Sequence, residues 1–165
     1  MYLNESSFKD LYKSTVLAFP NTTKRQYATQ PIVIEQIKFV PYFGLNTLFI
    51  KAEAINEERH YNPMVLFKKV DYNKKDCSVK TDMSICKFGK LSLESTDILL
   101  RCQCKDFKYR FNYYDHLDKS LYGSKIKKYE SLGIGQPANP KEMPGMCKHL
   151  IKMFEVLRAE NLFLD

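Results

Sequence analysis

One arrangement of residues in this chain carries chemistry by type and spacing. Arg101-Cys102-Gln103-Cys104-Lys105 and, across the 42 residues from 105 to 146, Cys147-Lys148-His149 reduce to Cys-x-Cys … Cys-x-His. Three thiolates and one imidazole complete the tetrahedral shell of a structural zinc and leave no position for water or substrate. The bland alternative is a buried cysteine pair beside a Cys and a His that never meet. Two considerations favour the metal. Cysteines without a secretory context are more often ligands than disulfides. The four candidates also flank the longest loop, which a metal clip closes best. Cys77 and Cys86 have no Cys or His two to four residues away, so they read as small core or half-exposed residues.

The elements around these residues must position them. Asp97-Ile98-Leu99-Leu100 is an apolar, β-branched lead-in, so Cys102 and Cys104 fall on or just past a strand. Residues two apart there share a face. Two apart on a helix diverge, so Cys147 and His149 need a turn, and Pro144-Gly145 provides one ahead of a helical run through Met146, Leu150, Met153, Phe154 and Leu157. Asp106 reads as an N-cap, with Phe107, Arg110, Phe111 and Tyr114 at helical spacing after it. Those aromatics are core, or else a stacking platform for single-stranded nucleic acid beside Lys105 and Lys108. Residues 117–145 are rich in Gly and Pro and read as a long loop.

Upstream, Ser7 and Asp10 resemble a capping box, and Phe8, Leu11, Tyr12, Thr15, Val16 and Phe19 mark one helical face that Pro20 ends. A polar loop with Lys24 and Arg25 follows. Strands are expected at Ile32–Phe39, Thr47–Ile55, Tyr61–Tyr72 and Met83–Phe88, with one or more in Leu91–Cys104. Turns are expected at Pro41–Gly44, Asn56–His60 and Asn73–Lys80, with His60 at the surface. The expected fold is α+β: an antiparallel β-rich core, an N-terminal helix and a C-terminal zinc-stapled helical segment. The expected organisation is a single domain over 1–165, with a helix and arm (1–30), a β-rich core (31–100) and a zinc module (101–165).

Composition bounds the partners. The 165 residues are 44% hydrophobic, with eleven Tyr, eleven Phe and no Trp, which suits a globular core rather than disorder. Net charge is +7, compatible with nucleic acid and equally with an acidic protein partner. Met1-Tyr2-Leu3-Asn4-Glu5 has no signal-peptide pattern and no apolar run is long enough to span a bilayer, so the expectation is a product made in the cytoplasm, with no membrane partner. No nucleophile–base pair stands out and a four-ligand site activates no water, so no enzyme is expected.

Cys-x-Cys … Cys-x-His behind a β-rich lead-in resembles a SWIM-type zinc finger. More closely, Cys102-x-Cys104-x-Asp106-Phe107-x-Tyr109-Arg110 … Asn139-Pro140 … Pro144-Gly145-x-Cys147-Lys148-His149-Leu150 is similar to small virion proteins of tailed bacteriophages, including crAss-like phages. Phe8-x-x-Leu11-Tyr12 … Ala18-Phe19-Pro20-x-Thr22-x-Lys24-Arg25-Gln26 shares that similarity. Such proteins often carry Pro after the second Cys, where this chain has Lys105. The resemblance implies a virion structural protein that rings the portal, head–tail connector or tail as a homo-oligomer, a dodecamer if it follows portal symmetry. The other expectation is a SWIM-type nucleic-acid-binding protein. Phe8, Tyr12, Lys24, Arg25, Tyr122 and Tyr129 are the candidate interface residues, since aromatic anchors with a polar rim are what protein interfaces use.

Overall fold

The computed structural model of the protein describes residues 6–20, 31–129 and 137–165. Helix α1 spans Phe8–Ala18. Ser7 is its extended N-cap: Ser7 Oγ accepts from the Asp10 N–H at 3.3 Å, and Asp10 Oδ2 accepts from the Ser7 N–H at 3.0 Å. Two otherwise orphaned donors are thereby satisfied, as the Ser7/Asp10 pattern predicts. Leu11, Thr15 and Ala18 are the buried stripe, and Phe19 caps the C-terminus before Pro20.

Among the described residues seven strands follow: β1 (Val33–Tyr42), β2 (Thr47–Asn56), β3 (Arg59–Tyr61), β4 (Met64–Phe67), β5 (Cys77–Lys80), β6 (Ile85–Phe88) and β7 (Ile98–Arg101). The main sheet is antiparallel in the order β1-β2-β4-β7, with β3 as a short hairpin partner of β2, while β5 and β6 pair apart from it. Register aligns Leu48 with Phe67 and Phe67 with Ile98, and Ile50 with Val65 and Val65 with Leu100. All six are at most 1% exposed. Alternate residues of a strand share a face, so these two rows form one apolar face. After β7 come a π-helical turn (Phe107–Phe111), helix α2 (Asn112–Asp118) and helix α3 (Lys148–Arg158). Phe154 of α3 sits 6.0 Å from Phe67 and 4.3 Å from Phe8, ring to ring, so α3 ties the sheet to α1. The tail docks as well: Leu162 and Phe163 are buried, and Phe163 bridges to Leu91. The fold is therefore α+β with an antiparallel β-rich core.

Several expected boundaries move. Tyr61–Tyr72 is not one strand. Pro63 interrupts it, β4 stops at Phe67, and Lys69 turns the chain at φ 54°. Asn73–Lys80 is not all turn, because Cys77–Lys80 pairs with Ile85–Phe88, Cys77 opposite Phe88. Arg59 and His60 are in a strand where a charged turn is expected; Glu57, at φ 60°, makes that turn, and His60 is exposed beside Glu53. Pro41 lies inside β1 rather than in a turn, which an edge strand permits because the missing N–H costs no ladder bond on its outer side. The turn comes later, at a 3-10 segment (Phe43–Leu45) closed by Asn46 in the left-handed region, φ 51°. Among the described residues, no helix is long and apolar enough to cross a membrane.

Candidate metal centre

Each of the four motif residues is delivered by a different local device. Cys102 follows the last residue of β7, and Cys104 lies in the bend before the π-helical turn. Between them Gln103 points out, its Oε1 accepting from the Asn62 N–H at 2.9 Å. Cys147 is the extended N-cap of α3 (φ −79°, ψ 171°), and His149 is the second residue of that helix. Cys147 lies outside the helical spiral, so the two side chains converge instead of diverging as they would inside a helix.

The donor atoms of Cys102, Cys104, Cys147 and His149 all lie within 4.8 Å of one another, and all four residues are buried. His149 Nδ1 is 3.9 Å from Cys102 Sγ and 3.9 Å from Cys147 Sγ. A tetrahedral ion with metal–sulfur bonds of about 2.3 Å and metal–nitrogen bonds of about 2.0–2.1 Å has ligand–ligand edges of roughly 3.5–3.8 Å. The cluster is within a few tenths of an ångström of that shape along these edges. The sulfurs form no disulfide.

Proton affinities in the cluster describe a site short of positive charge. Cys104 is held far below the usual thiol range by hydrogen bonds from the Cys102 and Cys147 thiols, helped by the Phe107 N–H at 3.3 Å from its sulfur. Cys102 is pushed up by the same bond to Cys104 and then by burial, and Cys147 is pushed up chiefly by burial. Like charges in a dry site cannot all ionise together. A bound dication lets all three thiols do so. The donor set thus fits a metal ion held by four protein ligands.

Contacts around the cluster fix its geometry. Gly145, two residues before Cys147, donates its N–H to Asp115 Oδ1 at 2.7 Å. Met146 N donates to Thr15 Oγ1 at 3.0 Å, and Ser14 Oγ donates to Pro144 O at 2.6 Å. Helices α1 and α2 therefore grip the segment that presents Cys147. The His149 ring packs on Tyr61 at 4.5 Å; among the described residues its Nε2 has no hydrogen-bond partner. Metal-binding histidines normally anchor the second nitrogen, so here packing takes that orienting role. The motif contains none of these supports. The one legible signal was Thr15, a polar residue on the apolar stripe of α1.

The remaining candidates scatter. Phe8 and Tyr12 stack at 5.8 Å and are half-buried. Tyr122 is half-buried against Phe49 at 5.2 Å, and Arg101 holds its carbonyl oxygen at 3.2 Å. Tyr129 is exposed and packs against Tyr109 with tilted rings 4.5 Å apart. Lys24 and Arg25 lie outside the described residues. Phe107, Phe111 and Tyr114 are buried and belong to the core, so they form no stacking platform. Cys77 is half-buried on β5 and Cys86 buried on β6; burial pushes the Cys77 thiol up to about 11. The chain matches no known family description, no curated protein and no solved structure.

Proposed function

We propose that the protein is a structural component of a tailed-phage virion, a ring subunit of the portal, head–tail connector or tail, held together by one structural zinc. The observation that carries this reading is the closed site. Four buried protein ligands leave a metal no open position, so the centre staples the fold and activates no water. Zinc is the ion favoured by three thiolates and an imidazole in tetrahedral array. The placement in a virion rests on the sequence resemblance. In this reading the protein is not an enzyme, is made in the host cytoplasm, and meets copies of itself and neighbouring portal or tail proteins. Two measurements test it. Elemental analysis of protein purified without chelators should return one zinc per chain. Mass spectrometry of purified particles should find the chain at ring-like copy number; its absence from particles rejects the virion role.

A second reading, a SWIM-type nucleic-acid-binding protein, is favoured by one surface. Tyr109 and Tyr129 are 36% and 44% exposed. Lys108 lies 5.5 Å from the Tyr109 ring, and Lys125 and Lys128 lie 6.0 and 5.9 Å from Tyr113. Aromatic faces among lysines suit single strands. DNA affinity that collapses between 50 and 200 mM salt, roughly the thousandfold or more expected for several phosphate contacts, would favour it over assembly.

A further inference from the structure

The β5–β6 hairpin has a buried apolar face and an exposed face that carries one large apolar residue. Val79, Cys86 and Phe88 turn inward and are buried. On the opposite face Ile85 is 66% exposed, and at the tip Met83 is 93% exposed. The tip is a tight turn. Thr81 N donates to Ser84 O at 2.8 Å, and Thr81 Oγ1 accepts from the N–H groups of Ser84 and Met83 at 3.1 and 3.3 Å. A firm backbone thus presents two aliphatic side chains to solvent. Lys80, directly opposite Ile85, and Lys87, two residues on, flank Ile85 on its face. Asp82 is the acid nearest the tip in sequence, which leaves this knob one positive charge in excess.

Elsewhere on the chain, α1 and α3 border a groove of about 390 Å³. Phe8, Tyr12, Leu93 and Ile151 make its apolar floor. A closed apolar cavity of ~150 Å³ admits a benzene ring, so an open groove of this size can admit an aliphatic side chain. Its rim carries Glu94, Glu155 and Asp165 against Lys9 and Arg158, one negative charge in excess. Lys9 is already engaged by Glu94. No residue of the hairpin lines the groove, so knob and groove are distinct surfaces of one chain, matched in apolar character and opposite in net charge.

We propose that the hairpin of one copy seats Met83 and Ile85 in the α1–α3 groove of the next. The contact is head-to-tail, and head-to-tail contacts close into rings when the rotation per copy permits. The proposal rests on the reading of the chain as a self-assembling virion component and names the surfaces that reading leaves open.

The test uses the full, metal-loaded chain and light scattering. Wild type is expected above the 19.4 kDa monomer mass. Met83→Glu (or Ile85→Glu) removes the knob and Tyr12→Glu spoils the groove; each alone is expected at monomer mass, with circular dichroism and metal content unchanged. Each variant keeps one working half, so an equimolar mixture of Met83→Glu and Tyr12→Glu is expected at twice the monomer mass and no higher. Wild type that stays monomeric, assembly that survives Met83→Glu, or a mixture that yields only monomers or large assemblies overturns the proposal. The virion reading fails separately: a chain found in particles whose Met83→Glu variant assembles normally loses only this interface, whereas absence from particles removes the virion role itself.

Discussion

Gly145 stands where no side chain fits. A Cβ there would lie 2.4 Å from Thr15 Oγ1 and 2.7 Å from Phe111 Cε1, and neither neighbour is the free end of a flexible side chain. Overpacking of this kind typically costs about 1–3 kcal/mol, and here the displaced backbone is the one leading into Cys147. Gly145→Ala should therefore lower both the melting temperature and the metal affinity, read by thermal unfolding and by competition with a chromogenic chelator. A variant with wild-type metal affinity would show that Cys147 is positioned without this contact. Asp115, which accepts the Gly145 N–H, is fully buried, and among the described residues its Oδ2 has no partner. Burial first, and then the charge of Asp118, hold its carboxyl well above the usual range, against the lowering effect of the Gly145 N–H. A folded-state affinity raised above the unfolded one stabilises below the unfolded pKa, and that contribution is lost as pH rises through the folded value. Asp115→Asn keeps an acceptor for Gly145 and removes the titration. Its stability relative to wild type should increase with pH above about 4, by at most ~1.4 kcal/mol per pH unit. Urea unfolding of both proteins at pH 6, 7 and 8 with saturating metal measures this, since the ligand thiols titrate alike in the two. A difference that does not change over this range would place the folded titration of Asp115 below pH 6.

At the scale of elements, the metal would join three pieces: the end of β7, the π-helical turn and the N-terminus of α3. The rest of α3 is held differently, through Leu150, Met153, Phe154 and Leu157, each fully buried. Chelation or Cys147→Ser should accordingly raise hydrogen exchange first in 102–111 and 145–150, while β2 and β4 keep their protection. Binding energies of structural zinc run to roughly 10–16 kcal/mol, so the local effect should be large. Unchanged exchange in those two stretches would reject the staple. Some of these elements were legible beforehand for local reasons. Ser7 and Asp10 announce α1, alternating apolar residues announce β2, and Pro144-Gly145 ahead of a 3.6-residue stripe announces α3. The strand β5 was hidden because Lys74, Lys75 and Asp76 give its approach the composition of a turn, and only its pairing with β6 makes Cys77–Lys80 extended. The π-helical turn was hidden too, because Phe107 and Phe111 are spaced alike in an α-helix and its register depends on what they pack against.

On the scale of the whole molecule, the core is closed by residues far apart in the chain, including the C-terminal tail. Leu162 is 1% and Phe163 7% exposed, and Asp165 Oδ1 accepts from the Leu93 N–H at 2.9 Å. Burying a large apolar side chain contributes about 1.5–3 kcal/mol, so removing residues 161–165 should cost several kcal/mol by denaturant unfolding, with metal content retained. A truncated chain as stable as wild type would show that the tail only rests on the surface. The sequence by itself determined the four candidate ligands, the closed chemistry of three thiols and an imidazole, and the α+β class. These follow from residue type and from periods of two and 3.6, which are local. Only the tertiary structure decided that β4 lies between β2 and β7, that Tyr61 packs behind His149, that Phe107, Phe111 and Tyr114 are core, and that Thr15 and Asp115 brace the segment before Cys147. Each of these depends on which distant surfaces meet when apolar area is buried, and no short window of sequence contains both partners.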